Sequence, residues 1–244
     1  MATDVVRLEL LAADPALAEG IPAEELALAR RVLVADAYEL APGPWEPDLS
    51  RPGGRAGFAL LILRGAITRD VALADRHCAE LFGPGDVVRP ANAGETLVPH
   101  AVSWSVADQA LVAVLDDRFS AAARRWPSLS AQLTARLLDQ TDRLALRTAI
   151  SQLGRVEVRV LALLWHLADR WGHVTPYGVT VPLRLTHEAL GRLVGAQRPT
   201  VTLALSDLES TGSVTRSTTR GWLLQRDSRD LLEPGAATAV IMRA

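Results

Sequence analysis

The sequence of 244 residues contains no lysine, one cysteine and few aromatics. Its 26 basic residues are all arginine, a bias spread along the whole chain and read as GC-rich codon usage. The single cysteine, Cys78, excludes an intramolecular disulfide and an iron–sulfur cluster ligated by cysteines of one chain. No apolar run approaches the length of about 18 residues that a membrane-spanning helix needs. The first residues, MATDVVRLEL, lack the basic-then-apolar layout of a signal peptide, and a cytoplasmic protein is expected. Catalytic signatures are missing as well: there is no P-loop, no G-x-S-x-G and no dinucleotide-binding glycine pattern. His77, His100, His166, His173 and His187 are scattered, without the His-x-His pair of a cupin-type metal site. Neither an enzyme nor a metal site is expected, and no cofactor is called for. A small-molecule effector is left open.

The chain is longer than one typical domain and can bury a sizeable core. Its net charge of −2 conceals an asymmetry. Residues 1–117 carry 9 Arg against 18 Asp and Glu, a balance of −9, and residues 118–244 carry 17 against 10, a balance of +7. Such a division points to an acidic sensory part and a basic nucleic-acid-binding part.

Within the basic part, residues 185–212 read LTHEALGRLVGAQRPTVTLALSDLESTG. Thr186 is a good N-cap, because its hydroxyl accepts from an otherwise orphan amide of the first turn. Leu190, Leu193 and Val194 then form one apolar stripe at helical spacing. Gly195 stands where the chain must take a positive φ to leave the helix. Gln197 and Arg198 open a second helix with Pro199 in its first turn, where a missing N–H costs nothing. Val201, Leu205 and Leu208 face the first helix, which turns Arg198, Thr202, Leu203 and Ser206 outward. Two helices joined by a short glycine turn form the unit that lays its second helix in a DNA major groove. The plainer alternative is an αα-hairpin in a helical domain. Against it, residues 213–216 and 221–225 read as two strands around a polar turn, a wing that lays Arg216, Thr218, Thr219 and Arg220 against phosphates.

At these residues, through GWLL at 221–224, the chain resembles the Crp–Fnr superfamily of bacterial transcription regulators. The resemblance implies a homodimer that binds double-stranded DNA at a pseudo-palindromic operator, and in an activator also contact with RNA polymerase. It marks His187, Gln197 and Thr200 as phosphate-contacting positions. Two departures bear on function. Cyclic-AMP-type members carry Arg-Glu-x-x-x-Arg in the recognition helix, where this chain has Arg198, Pro199 and Leu203. One base-reading arginine remains, able to pair bidentately with guanine, and the carboxylate that would accept from cytosine is gone. Ala189 replaces the acidic residue of the capping box, so Thr186 caps the first helix alone.

Residues 5–31 read as helical pieces divided by Pro15 and Pro22, residues 32–40 as a strand, and 42–55 as a Pro- and Gly-rich loop. Short apolar or alternating segments follow at 57–63, 66–73, 78–82, 86–89, 101–107 and 110–115, punctuated by turn residues such as Arg64-Gly65 and Ala107-Asp108. Many short strands fit a β-roll or jelly roll. LLILRGAITRD followed by AELFGPGDVV resembles the cyclic-nucleotide-binding-like roll of the same superfamily. The phosphate cassette of that roll does not follow: Pro99 and His100 occupy its Arg and hydroxyl positions, and Gly94-Glu95 is displaced. Cyclic AMP is therefore not the expected effector. The loop 86–104, with Arg89, His100 and Trp104, is the candidate effector pocket, with a structural tryptophan packing the roll as its alternative. His77 and Cys78 are candidates for haem or redox sensing, although neighbours on a strand point to opposite faces. The plainer reading is an exposed His beside a buried Cys.

Residues 126–151 read as one long helix opened by Pro127. Leu129, Leu133, Leu137, Thr141, Leu144 and Thr148 recur at spacings of three or four and form the candidate dimerisation seam. Leu138, Ala145 and Ala149 form a second set that would cover the roll. An amphipathic helix at 156–171, a hinge expected at Gly154 and a small hairpin around 176–178 precede the helix-turn-helix. The expected architecture is α+β: a β-roll sensor domain at 1–125, a dimerisation helix at 126–153 and a winged helix-turn-helix at 154–244. Two alternatives to the regulator stay open. One is a ligand- or protein-binding β-roll adaptor whose winged helix mediates protein contacts, and the other is a haem- or redox-sensing regulator using His77 or Cys78.

Overall fold

The computed structural model describes residues 5–49, 57–90, 97–217 and 221–233. They form two compact units that divide within a long helix, between Arg143 and Leu144, with residues 75–79 grouped with the second unit. In chain order the first part contains β1 (Val5–Glu9), α1 (Leu10–Ala13), α2 (Leu26–Val32), β2 (Val34–Leu40), β3 (Gly43–Trp45), β4 (Ala59–Leu73), β5 (Arg76–Phe82), β6 (Val87–Val88), β7 (Ala101–Leu115), α3 (Asp117–Arg125) and α4 (Pro127–Gln152). The sheet runs β1-β2-β7-β4-β5, with β3 also on β7 and β6 also on β4.

Both faces of this sheet are covered, and the period of two in the central strands shows it. Leu61, Ala113 and Leu115 join Leu10, Leu17, Leu33, Phe119 and Trp126 in one cluster. The alternate residues Leu60, Ile62, Val112 and Val114 join Leu40, Phe82 and Trp104 in another. A strand buried on both faces reads as an unbroken apolar run, as ALLIL and LVAVL do. The helical cover is tied down at its start by Asp116, the N-cap of α3, which accepts from the amides of Arg118 and Phe119 at 3.0 and 3.4 Å. Burial pushes its pKa up, but the bond and charge of Arg118 and these two amides outweigh it, so the carboxyl lies below its ordinary value.

The N-terminal sequence departs from expectation at residues 5–9, which form a strand instead of a helix. β-branched Val5 and Val6 pair antiparallel with β2, Val5 opposite Tyr38, and this pairing overrides the local helical reading. The expected strand pairs 57–63 with 66–73 and 101–107 with 110–115 are also fewer. Each pair is a single 15-residue strand, β4 and β7. Arg64-Gly65 makes no hairpin; it lies where the β4–β7 register shifts, as in a bulge. Gly65 has φ +83°, and a Cβ there would fall 2.1 Å from the Gln109 carbonyl oxygen.

The long helix α4 meets its unit through a face other than the expected one. Leu129 is fully buried in the roll's core and Leu133 packs against it, so these two are core residues and not part of a dimer seam. Beyond them the inner face turns polar. Arg136 bonds both carboxylate oxygens of Asp14, at 2.5 and 3.0 Å, and Arg143 bonds the buried Asp86 at 2.9 Å. Gln140 donates to the Val87 carbonyl between them at 3.3 Å. Arginine stems can carry packing that apolar residues were expected to supply. Leu138, Ala145 and Ala149, expected to cover the roll, are instead exposed, with Leu138 at 63%. Leu137, Thr141, Leu144 and Thr148 are exposed beside them, so one outward stripe remains of the expected seam.

The second unit continues with α5 (Val156–Trp171), β8 (His173–Thr175), β9 (Gly178–Val181), α6 (His187–Val194), α7 (Arg198–Ser210), β10 (Val214–Arg216) and β11 (Trp222–Leu224). Its four strands run β10-β11-β9-β8. Val160, Leu161, Leu164 and Leu167 are buried along α5 and form the floor on which α6 and α7 rest. Among the described residues no helix is long and apolar enough to cross a membrane. For the first unit, Gly65→Ala is expected to cost about 3 kcal/mol or more, since positive φ and a backbone clash coincide; a urea titration followed by tryptophan fluorescence measures it.

Candidate nucleic-acid interface

The helix-turn-helix forms as its sequence dictates. The Thr186 hydroxyl accepts from the Ala189 amide at 3.1 Å and caps α6. Leu190, Leu193 and Val194 are buried, and Gly195 leaves the helix in the left-handed region at φ +65°. Pro199 sits in the first turn of α7, behind Gln197 as N-cap. Val201, Ala204, Leu205 and Leu208 face inward. Gln197, Arg198, Pro199, Thr200, Thr202, Leu203 and Ser206 are all exposed, with Leu203 at 67%.

The wing is the hairpin β10–β11, in which Arg216 lies directly opposite Trp222. β11 pairs in turn with β9, Trp222 opposite Val181, which ties the wing to the rest of the unit. The Arg216 guanidinium lies 4.6 Å from the centroid of the buried Trp222 ring, a cation–π contact that holds a long side chain in place. Thr218, Thr219 and Arg220, expected at the wing tip, fall outside the described residues.

Between the wing and the start of α6 lies an open groove of about 770 Å3, lined among others by Arg184, Thr186, His187, Arg198, Arg216 and Trp222. Three arginines on one concave surface suit a polyanion. His187, half-buried, is among the residues that line it. Its Nε2 is 2.7 Å from Arg216 Nη2 and its Nδ1 is 2.9 Å from Thr202 Oγ1. Burial, followed by the charges of Arg216 and Arg198, holds its pKa below the ordinary 6.5, while Glu209 opposes them. Both ring nitrogens are therefore engaged within the protein.

Some of this lies beyond the reach of the sequence. The bond from Arg216 to His187 joins residues 29 positions apart, and the pairing of Arg216 with Trp222 is set by a hairpin register that the strand ranges alone do not give. Arg159 gives no local signal of its role. Its Nε donates to the Leu153 carbonyl at 2.6 Å, and its Nη atoms reach the carbonyls of Gly154 and Val194 at 3.3 Å each. A planar fork suits several carbonyls at once, and here it ties the segment before α5 to the end of α6.

Residues 91–96 of the candidate effector loop, with Gly94 and Glu95, fall outside the described residues, and among the described residues Arg89, His100 and Trp104 form no comparable site. Trp104 is a core residue, 8% exposed, stacked on Phe82 at 5.8 Å and edge-on to Trp45 at 6.1 Å. Its ring is committed to packing the roll, which corrects its assignment to a pocket. Arg89 is exposed, and His100 Nδ1 lies 3.1 Å from the Val98 carbonyl. On β5 His77 is exposed, and so is Cys78, contrary to the expected burial. Among the described residues no group of three or more His, Cys, Asp or Glu side chains is arranged to hold a metal ion.

Residues 158–233 match the family described as the Crp-like helix-turn-helix domain. No curated protein matches the sequence. Several solved structures match over most of the chain. A double mutant of CooA from Carboxydothermus hydrogenoformans aligns with a TM-score of 0.60 at 18% identity, covering 95% of this chain and 96% of that one. FixK2 from Bradyrhizobium japonicum gives 0.55 at 21%, with 82% and 96% covered. A transcriptional regulator of the CRP family from Thermus thermophilus gives 0.54 at 21%, with 80% and 98% covered. The C-terminal part is thus a Crp-like helix-turn-helix domain, carried on a chain with the fold of Crp-family regulators. Because α7 is seated by Leu205, which is 2% exposed, Leu205→Ala is expected to lower the stability of this unit by about 2–5 kcal/mol. The shift of its urea midpoint checks the value.

Proposed function

We propose that the protein is a homodimeric transcription regulator that recognises a pseudo-palindromic operator in double-stranded DNA, and that it is not an enzyme. The observation that carries this reading is the outward face of α7. Arg198, Thr202, Leu203 and Ser206 are exposed on the second helix of a Crp-like helix-turn-helix, with Arg216 of the wing beside its first turn. Arg198 is the side chain suited to guanine, Leu203 offers an apolar contact for a thymine methyl, and Arg216 is suited to phosphate.

Dimerisation is read from α4. Its exposed stripe of Leu137, Leu138, Thr141, Leu144 and Thr148 is too apolar for a solvated helix face and has the spacing of a helix–helix seam. Two copies related by a twofold axis would bring two recognition helices to half-sites about 10–10.5 bp apart. The roll is assigned the sensory part, for an effector other than cyclic AMP, because Pro99 and His100 cannot supply the cation and hydroxyl that a cyclic phosphate requires.

Selection of genomic fragments by the purified full chain tests the reading directly. Retained duplexes are expected to share a motif with twofold symmetry, and retention of none above competitor DNA sinks the DNA-binding assignment in favour of a wing that contacts protein. With a retained duplex, Arg198→Ala is expected to erode discrimination by about 1–3 kcal/mol. Arg216→Ala is expected to weaken binding to all sequences and to reduce the salt slope by about one unit per half-site. Sedimentation of the wild type should give the mass of two chains, whereas Leu137→Glu with Leu144→Glu should give the mass of one with unchanged circular dichroism. A wild type that sediments as one chain removes the dimer from the proposal.

A further inference from the structure

His187 is held from both sides, and the partners fix which nitrogen carries its proton. Arg216 only donates, so Nε2 accepts from it at 2.7 Å. The Thr202 hydroxyl gives its own proton to the Arg198 carbonyl at 3.0 Å. Nδ1, 2.9 Å from that hydroxyl, must therefore carry the ring proton and donate to it. The imidazole is neutral, and a relay runs from Arg216 through His187 and Thr202 to the Arg198 carbonyl. It joins β10 of the wing to the first turn of α7, the two elements that face DNA in the proposed function.

We propose that neutral His187 is a positioning residue for DNA recognition, holding Arg216 and Thr202 in one arrangement that its protonation breaks. This rests on the DNA-binding reading of the same surface. The charged groups that act on the ring are Arg216 from β10 and Arg198 and Glu209 from α7; Glu188 and Arg192, on its own helix, pair with each other at 2.8 Å. A protonated ring cannot accept from Arg216, and the two cations repel. The relay is complete above pH 6.5, the ordinary histidine value, and is lost as pH falls through the lower value in the folded protein. Freed Arg216 still meets phosphates, and the imidazolium adds a positive charge, so acid is expected to cost discrimination more than total affinity.

The test compares the full chain's affinity for a duplex retained in the genomic selection with that for a scrambled duplex, between about pH 5 and pH 8. The wild-type ratio is expected to fall about two- to tenfold on acidification, the range for one hydrogen bond. His187→Ala is expected to show that lower ratio already at neutral pH, with a flat pH profile. His187→Gln, whose amide oxygen accepts from Arg216, is expected to recover part of the ratio and to stay flat with pH. Nitrogen-15 NMR of the histidine rings is expected to report the Nδ1–H tautomer for His187, a readout that needs no DNA. An Nε2–H tautomer overturns the relay. His187→Ala with the wild-type ratio and pH profile overturns the proposal while leaving DNA binding intact. A wild type that retains no duplex fails the DNA-binding reading, and the positioning role falls with it.

Discussion

The constraint on which the first unit depends is the pairing of two largely buried carboxylates, Asp14 and Asp86, with arginines of α4. A carboxylate out of water needs a cation and hydrogen bonds, or it protonates or unfolds its surroundings. Asp86 has both, accepting the Gly83 amide at 2.9 Å as well as Arg143. Such pairs contribute little net stability compared with apolar packing, yet they are demanding in geometry. Because Arg136 and Arg143 are seven residues apart, about two helical turns, they lie on one face and set the rotation of α4 about its axis. The leucines turned away from that face, Leu137, Leu138 and Leu144, are thereby left in solvent. The apolar stripe read as a dimer seam is thus a consequence of where two aspartates sit in the roll.

This also explains why the periodicity of α4 is only half informative. Periodicity locates a stripe but not what covers it. Leu129 and Leu133 share the helical phase of Leu137 and Leu144 closely enough to read as one seam, but near its start the helix is still packed on the roll. Apolar patterning also cannot show that arginine stems will serve as an inner face, because the same residues read as solvated. The strands divide differently from expectation for a related reason. Gly65 is a turn residue by type, and nothing local tells a hairpin from a bulge; the decision comes from the neighbouring β7, whose backbone leaves no space for a Cβ. By contrast, the helix-turn-helix is legible nearly to the residue. Its signals are local and mutually consistent: the Thr186 cap, the Gly195 turn, Pro199 at a helix start and the phase of Val201, Leu205 and Leu208.

The same contrast separates output from input. Residues proposed to read DNA must be exposed on a short, regular scaffold, so type and spacing reveal them. An effector site in a roll is assembled from strands distant in sequence, and its residues have competing structural uses. Trp104 illustrates the competition. Surrounded by Phe82 and Trp45, and with the Arg69 guanidinium 5.7 Å from its centroid, it is fully accounted for as core. A tryptophan in a loop-and-strand segment rich in polar residues resembles a pocket wall until its neighbours are known.

The charge asymmetry needs the same care. The balance of +7 in residues 118–244 suggests a broadly basic surface, but much of that charge is paired within the chain. Arg118 bonds Asp116 and Asp36, Arg136 bonds Asp14, Arg143 bonds Asp86, and Arg192 bonds Glu188. Arg159 is taken up by backbone carbonyls, and Arg170 covers the Trp171 ring at 3.9 Å. What lines the groove is a small set, Arg184, Arg198 and Arg216. When few charges carry an interface, their placement matters more than their number, because each phosphate contact also fixes the register in which bases are read. The stacking of Arg216 on Trp222 and its bond to His187 are therefore as much a part of recognition, in this reading, as the arginine itself.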